Sequence, residues 1–173
     1  DGTRAFISGQ PMWGTLVGLQ RRGAPIAGWM HVPAVGETYV AVGGEASLSD
    51  AAGRRPLATS PVVDLAAATL LCTHPTMFVT DDERSAFARV TDAARLTRFS
   101  GDCVNYGLVA SGDADLVVEN QLQPYDVIPL IPIVEAAGGV ITDREGRPPV
   151  HGGWAIAAAT PELHAAALAA LDG

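Results

Sequence analysis

The spacing of apolar and polar positions changes about a third of the way along the chain. Residues 12–20, 25–32 and 38–42 are short runs of apolar, aromatic and small residues, separated by polar turns at Arg21-Arg22-Gly23 and Gly43-Gly44. They predict three strands, and the short connections make them an antiparallel meander. Residues 45–61 are polar and carry Gly53, Pro56 and Pro61, which reads as a surface connection with one short edge strand.

Beyond residue 66 strands alternate with helices. Ala68–Thr73, Leu96–Phe99, Ala114–Glu119, Val140–Thr142 and Trp154–Ala159 read as strands. Asp81–Ala94 places Phe87, Val90 and Ala94 on one helical face, and Val104–Ser111 is a small-residue helix stopped by Gly112. Pro161–Leu171 is a terminal helix with proline in its first turn. Pro124–Ala137 reads as a helix closed by Gly138-Gly139, but Pro129 and Pro132 fall inside it. An interior proline costs about 3 kcal/mol or more, so a kink is expected near one of them. A meander followed by alternation predicts two lobes, residues 1–66 and 67–173, with a cleft between them.

Composition narrows the chemistry. With 173 residues, 48% hydrophobic and 17% charged, the chain can bury a core and is not disordered. A net charge of -8 argues against nucleic acid as the main partner, while leaving room for an anionic substrate brought in by metal ions. No apolar run reaches membrane-span length. Cys72 and Cys103 give no disulfide framework and are expected as reduced, buried thiols in a cytoplasmic protein. His31, His74, His151 and His164 have no tight ligand spacing, which argues against zinc and leaves a harder cation, Mg²⁺ or Mn²⁺, as the candidate.

Four places carry possible chemistry. Asp1-Gly2-Thr3 precedes an expected helix start, a corner that serves either as a helix cap or as a site for a metal ion or phosphate. Asp126 follows Pro124-Tyr125 and is a cap or a metal ligand at the cleft mouth. Glu119 ends an expected strand, either solvated or facing the cleft, because ligands collect at strand ends in α/β sheets. Ser100-Gly101-Asp102-Cys103 joins a strand to a helix, with Asp102 as N-cap or the corner as a ligand contact. No Walker motif, dinucleotide fingerprint or GxSxG elbow is present.

These segments together resemble the inositol monophosphatase superfamily. Asp1-Gly2-Thr3 with Phe6 and Gly9-Gln10-Pro11 is similar to the end of its DPxDGT motif. Gln123-Pro124-Tyr125-Asp126 followed by Glu135-Ala136-Ala137-Gly138-Gly139-Val140 is similar to its second signature, with Tyr125 where tryptophan is usual. Val109–Asp115 and Glu119 fit between them, so the resemblance runs over essentially the whole chain. Arg4–Gly9, Trp13–Leu16, Gly101-Asp102-Cys103 and Pro132–Glu135 are most similar to the histidinol-phosphate phosphatases of that superfamily.

The resemblance implies an α+β fold with αβαβα layers and mixed sheets, and Mg²⁺-dependent hydrolysis of a small phosphomonoester. Two or three Mg²⁺ ions, or Mn²⁺, and a homodimer are implied with it. Asp1 and Asp126 would hold metal and Thr3 would orient the attacking water. The Gly2 and Thr3 amides would meet the phosphate. Glu119 and the Gly101-Asp102-Cys103 corner would line the alcohol pocket, where acidic groups suit the ammonium and imidazole of histidinol phosphate. Inositol phosphate, a nucleotide 3′-phosphate or fructose bisphosphate are the rival substrates, and a non-catalytic binding module is the rival class. The family motif has another Asp three residues before the Asp1 position and a Glu further upstream. Their absence predicts an N-terminally truncated fragment with little or no phosphatase activity alone.

Overall fold

A computed structural model describes all residues, 1–173. Five strands, β1 (Thr15–Arg21), β2 (Ala24–Val32), β3 (Glu37–Val42), β4 (Glu45–Asp50) and β5 (Gly53–Pro56), form an antiparallel sheet in chain order. The expected meander with one short edge strand is therefore one strand longer than its sequence suggested, because residues 45–56 form two paired strands instead of a connection with one. Ala46 and Leu48 of β4 turn into the core, while β5 is an exposed Gly-Arg-Arg-Pro edge. Charge and proline are common on edge strands, and they disguise the strand as a loop.

The second sheet has the order β7-β6-β8-β10-β9. Its strands are β6 (Thr69–Cys72), β7 (Leu96–Phe99), β8 (Leu116–Leu122), β9 (Val140–Thr142) and β10 (Gly153–Ala158). β6 runs parallel to β7 and β8, whereas β10 is antiparallel to β8 and β9. The helices are α1 (Thr3–Ile7), α2 (Asp81–Ala93), α3 (Val104–Ala110), α4 (Pro124–Val127), α5 (Leu130–Ala136) and α6 (Pro161–Asp172). The kink expected within 124–137 falls at Ile128–Pro129 and is a full break into two helices, since Pro129 supplies no N–H and occupies the α5 N-cap.

α3 and α5 lie between the sheets, and α2 and α6 cover the far face of the second sheet. The chain thus builds sheet, helix, sheet and helix layers of a mixed α+β sugar-phosphatase-type fold. A cluster of 24 buried residues joins Met30, Tyr39 and Leu48 of the first sheet to Tyr106, Ile133 and Val117. Both halves of the chain therefore share this core. On the other face of the first sheet Val17, Leu19 and Val42 are half exposed.

One contact sets the distance between the first sheet and α4–α5. Gly18 and Gly28 are cross-strand partners, and both face the Ile128–Pro129 break. A methyl group at Gly28 would overlap the Pro129 carbonyl oxygen. Glycine lets the helix junction approach the sheet to backbone contact. The connection between the two sheets is pinned by Thr59 Oγ1, which donates to the Ala159 carbonyl at 2.8 Å, and by Thr160 Oγ1, which donates to the Val62 carbonyl at 2.8 Å.

Candidate active site

A cleft of about 710 Å³ opens at the carboxyl ends of β6 and β8. Parallel strands end there side by side, and the loops that leave them diverge to form a crevice. Asp1, Gly2, Thr3 and Arg4 line it from the start of α1, and Tyr125 and Asp126 from α4. Thr73, His74, Thr76 and Met77 contribute from the segment after β6, Asp102 from the turn before α3, and Glu119, Gln121 and Leu122 from β8. Asp1, Thr3, Asp102, Glu119 and Asp126, far apart in sequence, thus meet at one cleft.

The local backbone explains how the first segment faces the cleft. Gly2 is the α1 N-cap with φ 86°, and neither Asp1 nor Thr3 caps the helix. A Cβ at Gly2 would lie 2.7 Å from the Trp13 Cα, so both the left-handed conformation and the close approach of Trp13 require glycine. No side chain caps α1, and Asp1 and Thr3 remain exposed with Gly2 buried between them. The Phe6 and Trp13 rings meet edge to face at 5.0 Å and brace the segment.

Asp126 sits in the first turn of α4, where its Oδ2 accepts the Gln123 backbone N–H at 2.9 Å. The capping and cleft-lining roles therefore coexist in this residue. Asp102 does not cap α3, because Cys103 holds the N-cap position without a side-chain bond. Ser100, Gly101 and Asp102 all have positive φ, at 85°, 120° and 48°. This strained turn directs Asp102 to the cleft. Burial pushes the Asp102 carboxyl up, the positive charge of Arg4 pulls it down and the charge of Asp126 raises it further. Gln121, another cleft residue, also has positive φ, at 61°. Three of the four non-glycine residues with positive φ thus flank the cleft or its turn. Each costs about 1–3 kcal/mol, and such strain gathers where a site is held in shape.

Two expected contacts, those of Gly101 and Cys103, need correction, since neither residue lines the cleft. Cys103 is 0% exposed and belongs to the core, so its thiol does not line the pocket; burial pushes it up to about 12. Gly101 is also buried, against the Asn105 side chain. Glu119 is neither solvated nor at a strand end, since β8 continues to Leu122. At 1% exposure its Oε1 accepts from the Thr73 N–H at 2.8 Å, the Thr73 hydroxyl at 2.6 Å and Asn105 Nδ2 at 3.3 Å. Its Oε2 accepts from Tyr106 at 3.0 Å. Burial raises the Glu119 carboxyl and these four donors pull it back. Four protein donors occupy the carboxylate, so Glu119 braces the cleft floor in this geometry. Cys72 and Cys103 are free and buried.

Sequence reasoning passed over Arg4, Thr73, His74, Thr76 and Gln121 as site residues. The available signal was Thr73-His74 directly after the apolar run of β6, at the end of a parallel strand. The acidic and hydroxyl donors at the cleft are all oxygen, which suits a hard cation. No three His, Cys, Asp or Glu side chains form a cluster able to hold a metal ion.

An oxygen-lined crevice at strand ends, in a layered α+β fold with a helix start beside two aspartates, defines a sugar-phosphatase-like architecture. The inositol monophosphatase family model matches residues 1–172, and the chain belongs to that family. It is 37% identical over 147 residues to the chloroplastic bifunctional phosphatase IMPL2 of Arabidopsis thaliana, covering 85% of this chain and 41% of that protein. It is 32% identical over 171 residues to the histidinol-phosphatase of Chlorobaculum parvum, covering 99% of this chain and 65% of that protein. An inositol monophosphatase structure from Zymomonas mobilis superposes with a TM-score of 0.93 at 37% identity, over 100% of this chain and 68% of that one. The chain spans 41% and 65% of the lengths of these two curated relatives. No helix is long and apolar enough to cross a membrane.

Proposed function

We propose that this chain carries the leaving-group side of a metal-dependent phosphomonoesterase acting on histidinol phosphate, within histidine biosynthesis. The observation that carries the reading is the convergence of Asp1, Thr3, Asp102 and Asp126 on one cleft at the ends of parallel strands. The 32% identity to a histidinol-phosphatase over nearly the whole chain supports the substrate.

Asp1 and Asp126 would hold Mg²⁺, or Mn²⁺, together with ligands beyond these two. When bound, such a cation polarises the phosphoryl group and offsets charge on the departing alkoxide. Thr3 orients the attacking water through its hydroxyl. The Gly2 and Thr3 amides, uncapped by any side chain, offer donors to the phosphate. Asp102 places a carboxylate beside the alcohol portion, complementary to an ammonium group. Residues 1–66 and 67–173 serve as the two walls of this cleft, and cytoplasmic location and homodimer formation belong to the same reading.

Titration of the isotopically labelled chain with Mn²⁺ tests the metal assignment. Paramagnetic broadening should centre on the amides of Thr3, Tyr125 and Asp126, and Asp126→Asn should weaken it. Broadening elsewhere with these amides untouched overturns the assignment. A panel of histidinol phosphate, inositol phosphate, fructose bisphosphate and a nucleotide 3′-phosphate tests the substrate. Histidinol phosphate is expected to bind tightest, and Asp102→Asn should erase its advantage over inositol phosphate. Because only two acidic ligands are provided, turnover by the isolated chain with Mg²⁺ should be slow, and robust turnover would contradict that incompleteness.

A further inference from the structure

The cleft holds an imidazole with no place in the scheme above. His74 is exposed at the cleft wall, yet its ring is fixed. Nδ1 accepts the Thr76 backbone N–H at 3.2 Å and lies 2.8 Å from the Thr76 hydroxyl. A nitrogen that accepts a backbone N–H cannot carry the ring proton of the neutral imidazole, so the proton resides on Nε2. The backbone is equally constrained. Pro75 holds His74 in an extended conformation (ψ 140°). The preceding Thr73 gives both its N–H and its hydroxyl to Glu119, which Asn105 and Tyr106 in turn hold. A buried four-donor network therefore ends at one exposed side chain whose unused function is an N–H donor.

Leu16, Met77, Leu122 and Tyr125 give the same, otherwise largely polar, cleft its apolar surface. A polyol ring, with hydroxyls around its edge, would lose hydration against them. A flat heteroaromatic ring has apolar faces and one acceptor nitrogen in its plane. We infer that His74 is a specificity-determining residue, donating its Nε2–H to the unprotonated ring nitrogen of a heteroaromatic leaving group while the apolar residues cover the ring faces. The inference rests on the phosphomonoesterase reading and deepens it, by naming what distinguishes the preferred ester.

Equilibrium binding of histidinol phosphate and inositol phosphate to the chain, followed by NMR titration, provides the test, with His74→Ala, His74→Asn and His74→Gln as variants. Asparagine can replace Nδ1 as acceptor for Thr76 but has no donor at the Nε2 position, whereas glutamine can place an amide N–H there. His74→Ala should weaken histidinol phosphate about tenfold, the upper range for one neutral hydrogen bond, and leave inositol phosphate within about twofold. Glutamine should restore most of the loss and asparagine little of it. An unchanged ratio of the two affinities in His74→Ala overturns the inference, as does rescue by asparagine in preference to glutamine, which would mark His74 as a turn cap. Should the wild-type chain bind neither ester more tightly than inorganic phosphate, the phosphomonoesterase reading falls and this inference with it.

Discussion

Replacing Gly28 by alanine isolates the contact that sets α4 against the first sheet. Gly28 is in β2 with no positive φ, so alanine meets no conformational obstacle there. Considered alone, the change should stabilise by about 0.4–1 kcal/mol, through the lost freedom of the unfolded chain. The structure opposes this. The new Cβ would overlap the Pro129 carbonyl oxygen, lie 2.9 Å from its carbon and 3.0 Å from Pro132 Cγ. These are mostly backbone and proline-ring atoms, which cannot rotate aside, so α4 and α5 must shift as a unit. Overpacking of this kind costs about 1–3 kcal/mol, and the rigid neighbours place it at the upper end. A net loss of about 2 kcal/mol follows, or about 4–8 °C in Tm for a chain of this size. Gly18→Ala is the matched control. Its closest neighbour is the Ile128 side chain at 3.0 Å, which can yield, and the Pro129 N and Cγ stand at 3.1 and 3.2 Å without overlap, so its loss should be smaller. Urea unfolding by circular dichroism, with equal m-values, measures both. If Gly28→Ala were as stable as the wild type, or Gly18→Ala the more damaging, the proposed backbone contact would be wrong. Because α4 carries Asp126, Gly28→Ala should also reduce Mn²⁺ broadening in the cleft.

Three further expectations follow from particular contacts. Thr80 and Glu83 form a reciprocal capping box at the start of α2, so Thr80→Ala should cost about 1 kcal/mol in urea unfolding, with Thr80→Ser near wild type. Burial lowers the pKa of His164, whose Nε2 lies 2.9 Å from Thr142 Oγ1. Its contribution is therefore full above the ordinary histidine value of about 6.5 and is lost as pH falls through the depressed folded value. The stability gap between wild type and His164→Gln should shrink from pH 7 to pH 5; a gap that widens would refute the assignment. Tyr106→Phe removes the donor to Glu119 Oε2 and should cost about 1–3 kcal/mol at neutral pH. Burial already raises the Glu119 pKa, so protonation at lower pH relieves the unpaired oxygen and the deficit should narrow as pH falls. A pH-independent deficit would show that the hydroxyl acts through packing alone.

Local signals carried much of the fold. Short apolar runs, Gly-rich turns and the Phe87–Val90–Ala94 face identify strands and helices because each depends on neighbours a few residues away. The same locality accounts for the failures. β4 and β5 read as a connection with a single edge strand because their polar and proline residues make sense only once an edge is assigned. The kink expected near Pro129 or Pro132 falls at Pro129, and what the local pattern could not show is that it separates two helices facing Gly18 and Gly28, some hundred residues earlier. The motif around Asp1, Thr3 and Asp126 was legible from residue type and order. The displacement of Cys103 into the core and the occupation of Glu119 by four donors were not.

By itself, then, the sequence determined the alternation of strands and helices through short-range spacing, and the family, its layered α+β class and the acidic and hydroxyl residues of the cleft through the resemblance of its separated motifs. Tertiary structure alone decided which of those residues remain free to meet a ligand. That depends on burial and on hydrogen bonds between distant segments, through which Thr73, Asn105 and Tyr106 take up Glu119 while Asp1, Asp102 and Asp126 stay at the cleft.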